Sequence, residues 1–386
     1  RDRHARVPLP AAPGHQGRVA ITSPYVLTGL TNGLTYSFTI DGRFGNGPGG
    51  PGTPSVSAIP RPAGTTWQPG GPLGGATGPL GTADLHGIAY GTATNAVAYF
   101  IATGDGGALF QSTDGAGWTS IPTAITANLN SAAFVQGNFL TVGASGNIYY
   151  SSDIVTWTPA TVTPATTQNL NAVATNGSVS VAVGDNGTIV YSGNVSGWSA
   201  AATVPPVGNL YGVTYGLTTS GSGLWVAVGA GGALLTSTDN GANWTAGTAV
   251  TPATTFDLKG VAFRSATTIT TPSTLTPTPT TTTTTVTYPA SFAAVGLGGT
   301  VLTSLDGVNW TSQIVSPASN LLSVVSTPGQ FLAVGTGGAG GVGGAFTSVD
   351  GTNWNNPKTT NTTSSMFGVI NAQAQYVAVG QGGTSI

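Results

Sequence analysis

Asn209-Leu210-Tyr211-Gly212-Val213, then Trp225-Val226-Ala227-Val228-Gly229, then Ser237-Thr238-Asp239-Asn240-Gly241-Ala242-Asn243-Trp244: these three phrases, in this order, form one unit of a repeat that runs along most of the chain. The first phrase returns after Asp84, Asn128, Asn169, Asp257, Asn320 and Ser365, each followed by Leu or, in the last copy, Met. Successive Leu or Met positions are 44, 41, 40, 48, 63 and 45 residues apart. A period of about 40–45 residues is that of four-stranded propeller blades.

The second phrase recurs at 100–104, 139–143, 181–184, 292–296, 331–335 and 376–380, each an apolar run ending in Gly. Apolar runs of this length suit strands covered on both faces, as neighbouring blades would cover them. The closing Gly, usually followed by another within three positions, is expected to supply positive φ for a tight turn. Strand, turn and strand are therefore written into every copy.

The third phrase is the most specific. Ser112, Ser151, Ser192, Ser237, Ser304 and Ser348 are each followed two residues later by Asp114, Asp153, Asn194, Asp239, Asp306 and Asp350, and then by Trp118, Trp157, Trp198, Trp244, Trp310 and Trp354. This pattern resembles the Asp-box, the bacterial neuraminidase repeat. Its chemistry asks for a short acceptor that hydrogen-bonds turn amides, a residue tolerant of left-handed geometry, and a large ring that locks the turn onto the blade. The resemblance implies an all-β, seven-bladed propeller over residues 64–386. It assigns the six acceptors a structural role, because in that family the motif lies away from the active site. The seventh repeat lacks its outer strand, and Gly64-Thr65-Thr66-Trp67 reads as the missing piece, so an N-terminal strand is expected to close the ring and remove its free edge.

Before the ring the chain changes character. Residues 19–62 resemble the second half of a fibronectin type III domain, carried by Ser23 to Ile40, with Tyr36 as the tyrosine-corner residue, and by Pro54 to Ala58. Residues 1–18 read as a basic irregular tail without the apolar core of a signal peptide. Residues 265–290 form a Thr/Pro-rich insertion that lengthens one repeat, read as a solvated loop, a protruding hairpin or an O-glycosylated spacer.

Composition narrows the function classes. The 386 residues include 5% charged side chains, against roughly a quarter in typical soluble proteins, and there is no Glu and no Cys. Such a surface, solvated by Thr, Ser and Asn, points to an extracellular or cell-surface protein, with bacterial export expected. Arg1, Arg3, Arg6, Arg18, Arg43 and Arg61 make the first 63 residues basic, while from residue 64 onward nine Asp face Lys259, Arg264 and Lys358. Three scattered cations cannot release the counterions that nucleic-acid binding needs. No apolar run reaches the roughly 18 residues of a membrane-spanning helix.

An enzyme would have to draw on very few groups. Glycoside hydrolysis normally uses two carboxylates, and every Asp of the ring has a structural reading. Sialidases of the resembled family use an arginine triad with Tyr and Glu, whereas the ring has one Arg and no Glu. His86 is its single His, which removes multi-His metal sites, and its place after Leu85, filled elsewhere by Asn, Tyr, Lys or Leu, reads as structural or surface. No cofactor and no catalytic residue is expected.

The sequence thus favours a non-catalytic structural, adhesive or protein-interaction scaffold whose partners are other protein subunits or further copies of itself. A lectin-like, glycan-binding propeller is one alternative. A partner-binding propeller resembling the photosystem assembly factors is another. Where a ligand binds the ring, Asp84, Asn128, Asn169, Asn209, Asp257, Asn320 and Ser365 are expected to circle one channel mouth. They would either cap their own strand-entry turns or converge as acceptors on a hydroxylated ligand or cation.

Overall fold

A computed structural model describes residues 3–8, 16–21, 36–44, 47–48, 56–58, 69–72, 80–218, 220–247, 249–272, 283–315, 319–336, 344–359 and 362–386. The chain forms two compact units, residues 1–66 and 67–386.

In the first unit Arg3–Pro8, inside the stretch expected to be irregular, is a strand paired antiparallel with both Gln16–Ile21 and Tyr36–Phe44. Tyr36–Phe44 also pairs with Val56–Ala58. The described strands make one sheet. Most of the residues that carry the fibronectin-like reading of 19–62, among them 23–35, lie outside the described residues.

The second unit is an all-β propeller. In its first blade Leu85–Thr92 lines the axis, and Ala98–Gly104, Leu109–Ser112 and Gly117–Ser120 follow outward as an antiparallel meander. The innermost strands of the later repeats are Leu129–Val135, Leu170–Thr175, Leu210–Leu217, Leu258–Arg264, Leu321–Ser326 and Met366–Ala372. Their first residues, Leu85, Leu129, Leu170, Leu210, Leu258, Leu321 and Met366, are all fully buried. The apolar clusters lie between blades: Leu224, Val226 and Val228 of one blade pack with Leu258, Val261, Phe292 and Trp310 of the next. Each blade therefore needs its neighbour to bury its faces, which is why the pattern must repeat.

Six of these inner strands open four-stranded blades. The seventh, Met366–Ala372, pairs among the described residues only with Gln375–Gly380, and a short antiparallel bridge from Val379 to Ser385 extends the pair. The expectation of seven complete blades is thus corrected to six, because the last repeat contributes two strands to its sheet. This small sheet packs against both Leu321–Ser326 and Leu85–Thr92, so seven inner strands surround the axis. The proposed closing strand at Trp67 lies outside the described residues. Nearby, Gly70 donates its amide to Ser385 O, and Gly71–Pro72 pairs in parallel with Gly117–Trp118. Parallel stitches of the same kind join Thr161–Thr163 to Gly197–Ala200 and Ala249–Thr251 to Asn309–Ile314.

The Gly that ends each second strand has a role different from the one expected. Gly104 has φ −164°, an extended backbone that any residue adopts. What excludes a side chain is crowding, since a Cβ on Gly104 would lie 2.1 Å from Asp84 O, and one on Gly143 would lie 1.9 Å from Asn128 O. Positive φ falls two residues later, at Gly106, Ser145, Asn186, Gly231, Gly298 and Gly382. The Thr/Pro-rich insertion begins and ends as a ribbon in which Thr267–Pro272 pairs antiparallel with Thr283–Tyr288. Residues 273–282 lie outside the described residues.

Candidate functional site at the channel mouth

Antiparallel order puts the start of each first and third strand at one end of the ring, and the turn joining third to fourth strands at the other. The Ser-x-Asp turns occupy that second end. In each of five turns the Ser hydroxyl donates to its Asp at 2.8–3.0 Å. Asp Oδ1 accepts one or two backbone amides, for example Val308 and Asn309 at 2.9 and 2.8 Å on Asp306. The Asn194 copy keeps the amide bonds with a neutral carbonyl, which accepts from Ser196 and Gly197 amides, while the Ser192 hydroxyl donates to the backbone carbonyls of Asn194 and Gly197. In all six turns the indole N–H donates to the carbonyl three residues back, at 2.8–3.2 Å.

These bonds hold the carboxyls low. In Asp114 the Gly117 amide leads, outweighing burial; in Asp153 the Thr156 amide does so. In Asp239 the Asn243 side chain and amide dominate. Burial pushes Asp306 and Asp350 up, but the amide and side chain of Asn309 and Asn353, with the neighbouring amide and Ser hydroxyl, outweigh it and bring both down to about 2. Carboxylates so engaged stay ionised and are poor bases at neutral pH.

The opposite end holds the residues expected to ring the channel, and the structure gives them a third geometry. Asn128 Oδ1 accepts the Gly106 amide at 2.8 Å, and Asn169, Asn209, Asp257 and Asn320 accept those of Ser145, Asn186, Gly231 and Gly298, each at 3.0 Å. Asp84 accepts the Gly382 amide at 2.7 Å and so joins the last repeat to the first. Each side chain reaches the positive-φ residue of the preceding repeat's turn, while its backbone carbonyl accepts an amide from its own repeat's turn, as Asn128 O does from Ala144. These six residues are latches between repeats. Ser365, with its shorter side chain, uses its backbone, its carbonyl accepting the Gln381 amide.

The residue after each buried Leu or Met is the one that faces the axis. Pairing in the first blade runs Leu85 with Gly104 and then Gly87 with Thr103, so His86 is an extra, bulged residue. The same register shift recurs in the other six inner strands, at Asn130, Asn171, Tyr211, Lys259, Leu322 and Phe367. Bulges re-aim side chains at barrel rims and next to binding sites. All seven are half-buried and line a cavity of about 230 Å³ on the axis.

Contacts divide this ring into two arcs. His86 Nε2 lies 3.0 Å from Asp105 Oδ1, and its ring stacks on Phe367 with centroids 5.3 Å apart. Lys259 Nζ lies 3.0 Å from Asp257 Oδ2 and 3.4 Å from the centroid of Tyr211. Asn130 and Asn171 donate to Leu170 O and Leu210 O of the next strand, and Asn171 also to Asp185. The Asp257 carboxyl is lowered, chiefly by the Gly231 amide, against burial and with help from Lys259. Sequence reasoning passed over this ring by setting His86 aside as a variable position. The signal was that variability itself, in a frame whose neighbouring positions hardly change.

Among the described residues no group of three His, Cys, Asp or Glu side chains could hold a metal, and no helix is long and apolar enough to cross a membrane. Among them His86 bonds Asp105 and no hydroxyl.

Comparison with known proteins agrees with the architecture. No curated protein sequence matches the chain. A YCF48 structure with a bound D1 peptide is similar over 81% of this chain and 96% of its own, with TM-score 0.56 and 16% identity. YCF48 from Cyanidioschyzon merolae matches over 79% and 95%, with TM-score 0.55 and 14% identity. The WD40 propeller domain of Doa1 matches over 80% and 93%, with TM-score 0.54 and 10% identity. At these identities the likeness is one of fold. Residues 81–220 match the DUF6242 beta propeller domain, so a propeller family's pattern is present in the first part of the ring.

Proposed function

We propose that this propeller binds a segment of a partner protein at the channel mouth ringed by His86, Asn130, Asn171, Tyr211, Lys259, Leu322 and Phe367, and that it acts without catalysis. The observation that carries this reading is that seven structurally equivalent bulges, on a frame of nearly identical repeats, present six different side-chain types. A purely structural ring has no use for that variety, whereas recognition of an asymmetric chain requires it. The fold likeness to YCF48 supports the choice of a peptide, since that protein is seen with one bound.

The engaged carboxylates of the Ser-x-Asp turns support a non-catalytic role. The sparse charge and Thr-rich surface support an exported or surface setting. Relative to the scaffold and lectin readings, partner binding is favoured because the divergent residues surround a cavity and include both apolar and ionic groups.

Panning a library of linear dodecapeptides on the full chain tests the proposal. Enriched peptides should lose binding when Tyr211, Leu322 and Phe367 are changed to Ala, and keep it when Val155 on the opposite end is changed to Ser. Enrichment indifferent to the three mouth changes contradicts the proposal. Binding of glycans alone, competed by no peptide, would favour the lectin reading instead.

A further inference from the structure

We propose that the bound segment places a cationic side chain, Lys or Arg, against Asp105 and the His86–Phe367 stack, across the mouth from Lys259. This rests on the peptide-binding reading above and names the chemistry it recognises.

The mouth already holds one cation, and shows how. Lys259 Nζ is fixed between a carboxylate, Asp257 at 3.0 Å, and an aromatic face, Tyr211 at 3.4 Å. An ammonium in that arrangement gains both ionic and cation–π stabilisation. The opposite arc offers the same pair of components, and among the described residues no Lys or Arg occupies it. Asp105 supplies a carboxylate whose side chain is 40% exposed, and the stacked rings of His86 and Phe367, 5.3 Å apart, supply the aromatic surface. Asp105 Oδ1 faces His86 Nε2, while its second oxygen has no partner among the described residues.

Charge points the same way. Around this mouth the described residues include Asp84, Asp105, Asp185 and Asp257 against Lys259. Both oxygens of Asp257 and of Asp185 are engaged, whereas Asp84 and Asp105 each use Oδ1 alone among the described residues; of these two, Asp105 is the one that stands beside the His86–Phe367 stack. An acidic rim with low-dielectric walls raises the local concentration of cationic partners and repels acidic ones. Phe367, with Leu322 next to it in the ring, gives the stem of a long side chain an apolar surface to lie on.

The test uses the full chain and three pools of end-blocked dodecapeptides, randomised alike except that two central positions are fixed as Arg, Gln or Glu. Fluorescence anisotropy should show the Arg pool binding at least tenfold more tightly than the Glu pool. Asp105→Asn should lower Arg-pool affinity about tenfold, leaving the Gln pool within twofold. Lys259→Gln, which removes the competing internal cation, should raise Arg-pool affinity severalfold. Equal binding by all three pools overturns this inference while leaving peptide binding intact, and so does an Asp105→Asn protein that keeps its melting temperature and its Arg preference. Binding by no pool overturns peptide binding itself, and this inference with it. If Asp105→Asn does not fold, a fall or no change in Arg-pool affinity for Lys259→Gln decides against the inference, and a rise decides for it.

Discussion

The two ends of the ring treat repetition in opposite ways. At the Ser-x-Asp end, six turns repeat the bonds from turn amides to the acceptor at the third position and from the indole N–H to the carbonyl three residues back, and in five of them the Ser hydroxyl also donates to that acceptor. Even the neutral Asn194 keeps the amide bonds, although the Ser192 hydroxyl there donates to backbone carbonyls instead. At the channel mouth, seven bulges repeat one backbone distortion and vary the side chain it carries, from Lys259 to Leu322 to Phe367. The difference separates what holds the blades in register from what the proposed partner would meet. Uniform residues satisfy backbone groups that every repeat exposes, and the proposal assigns the divergent ones to something outside the repeat.

Breaking the uniform end should cost most. Trp244 is 1% exposed, packs in the core between blades and donates its indole N–H to Gly241 O at 2.9 Å. Trp244→Ala should lower unfolding free energy by about 3–5 kcal/mol in chemical denaturation, as deletion of a large buried ring does.

Next in size are the acceptors. Asp306→Ala leaves the Val308 and Asn309 amides without their partner. It should cost about 1 kcal/mol, like loss of a helix cap. This effect has a pH signature. Asp306 in the folded chain sits at about 2, below the ordinary 3.8. Its ionised form therefore stabilises the fold fully above pH 3.8, and that contribution disappears as pH falls through 2. Melting curves of Asp306→Asn and the parent should differ at neutral pH and approach each other between those values.

The latches between repeats come third. Asn209→Ala removes the acceptor for the Asn186 amide at 3.0 Å. Because that bond is exposed, the expected loss is about 0.5–1.5 kcal/mol, measured by denaturation. The smallest effect belongs to the mouth. Tyr211→Ala forfeits the contact with Lys259, and its effect on stability should stay below about 1 kcal/mol. An effect as large as that of Trp244→Ala would place Tyr211 with the frame and collapse the comparison.

The all-β propeller was legible from the sequence because its signals are local: buried Leu85 and its counterparts, apolar second strands, and the Ser, Asp and Trp spacing all act within one repeat. The blade count was less so. Seven inner strands follow from seven anchors, but how many strands each sheet collects depends on pairings between distant segments, and among the described residues Met366–Ala372 gathers only one full partner. The latches were invisible for a related reason. Asn128 and Gly106 are 22 residues apart and belong to different repeats, so their bond exists only once two blades are set side by side. The bulges at His86 and its equivalents leave no residue signature of their own. Only the contrast between a variable position and its constant neighbours marks them.

The central claim, that the bulged residues serve a partner and not the ring, is tested most directly by one paired measurement on Tyr211→Ala/Phe367→Ala: denaturation midpoint and affinity for a peptide enriched on the parent chain. Affinity should fall at least tenfold with the midpoint essentially unmoved. A lowered midpoint with affinity unchanged would show instead that the two rings belong to the frame and that the partner binds elsewhere.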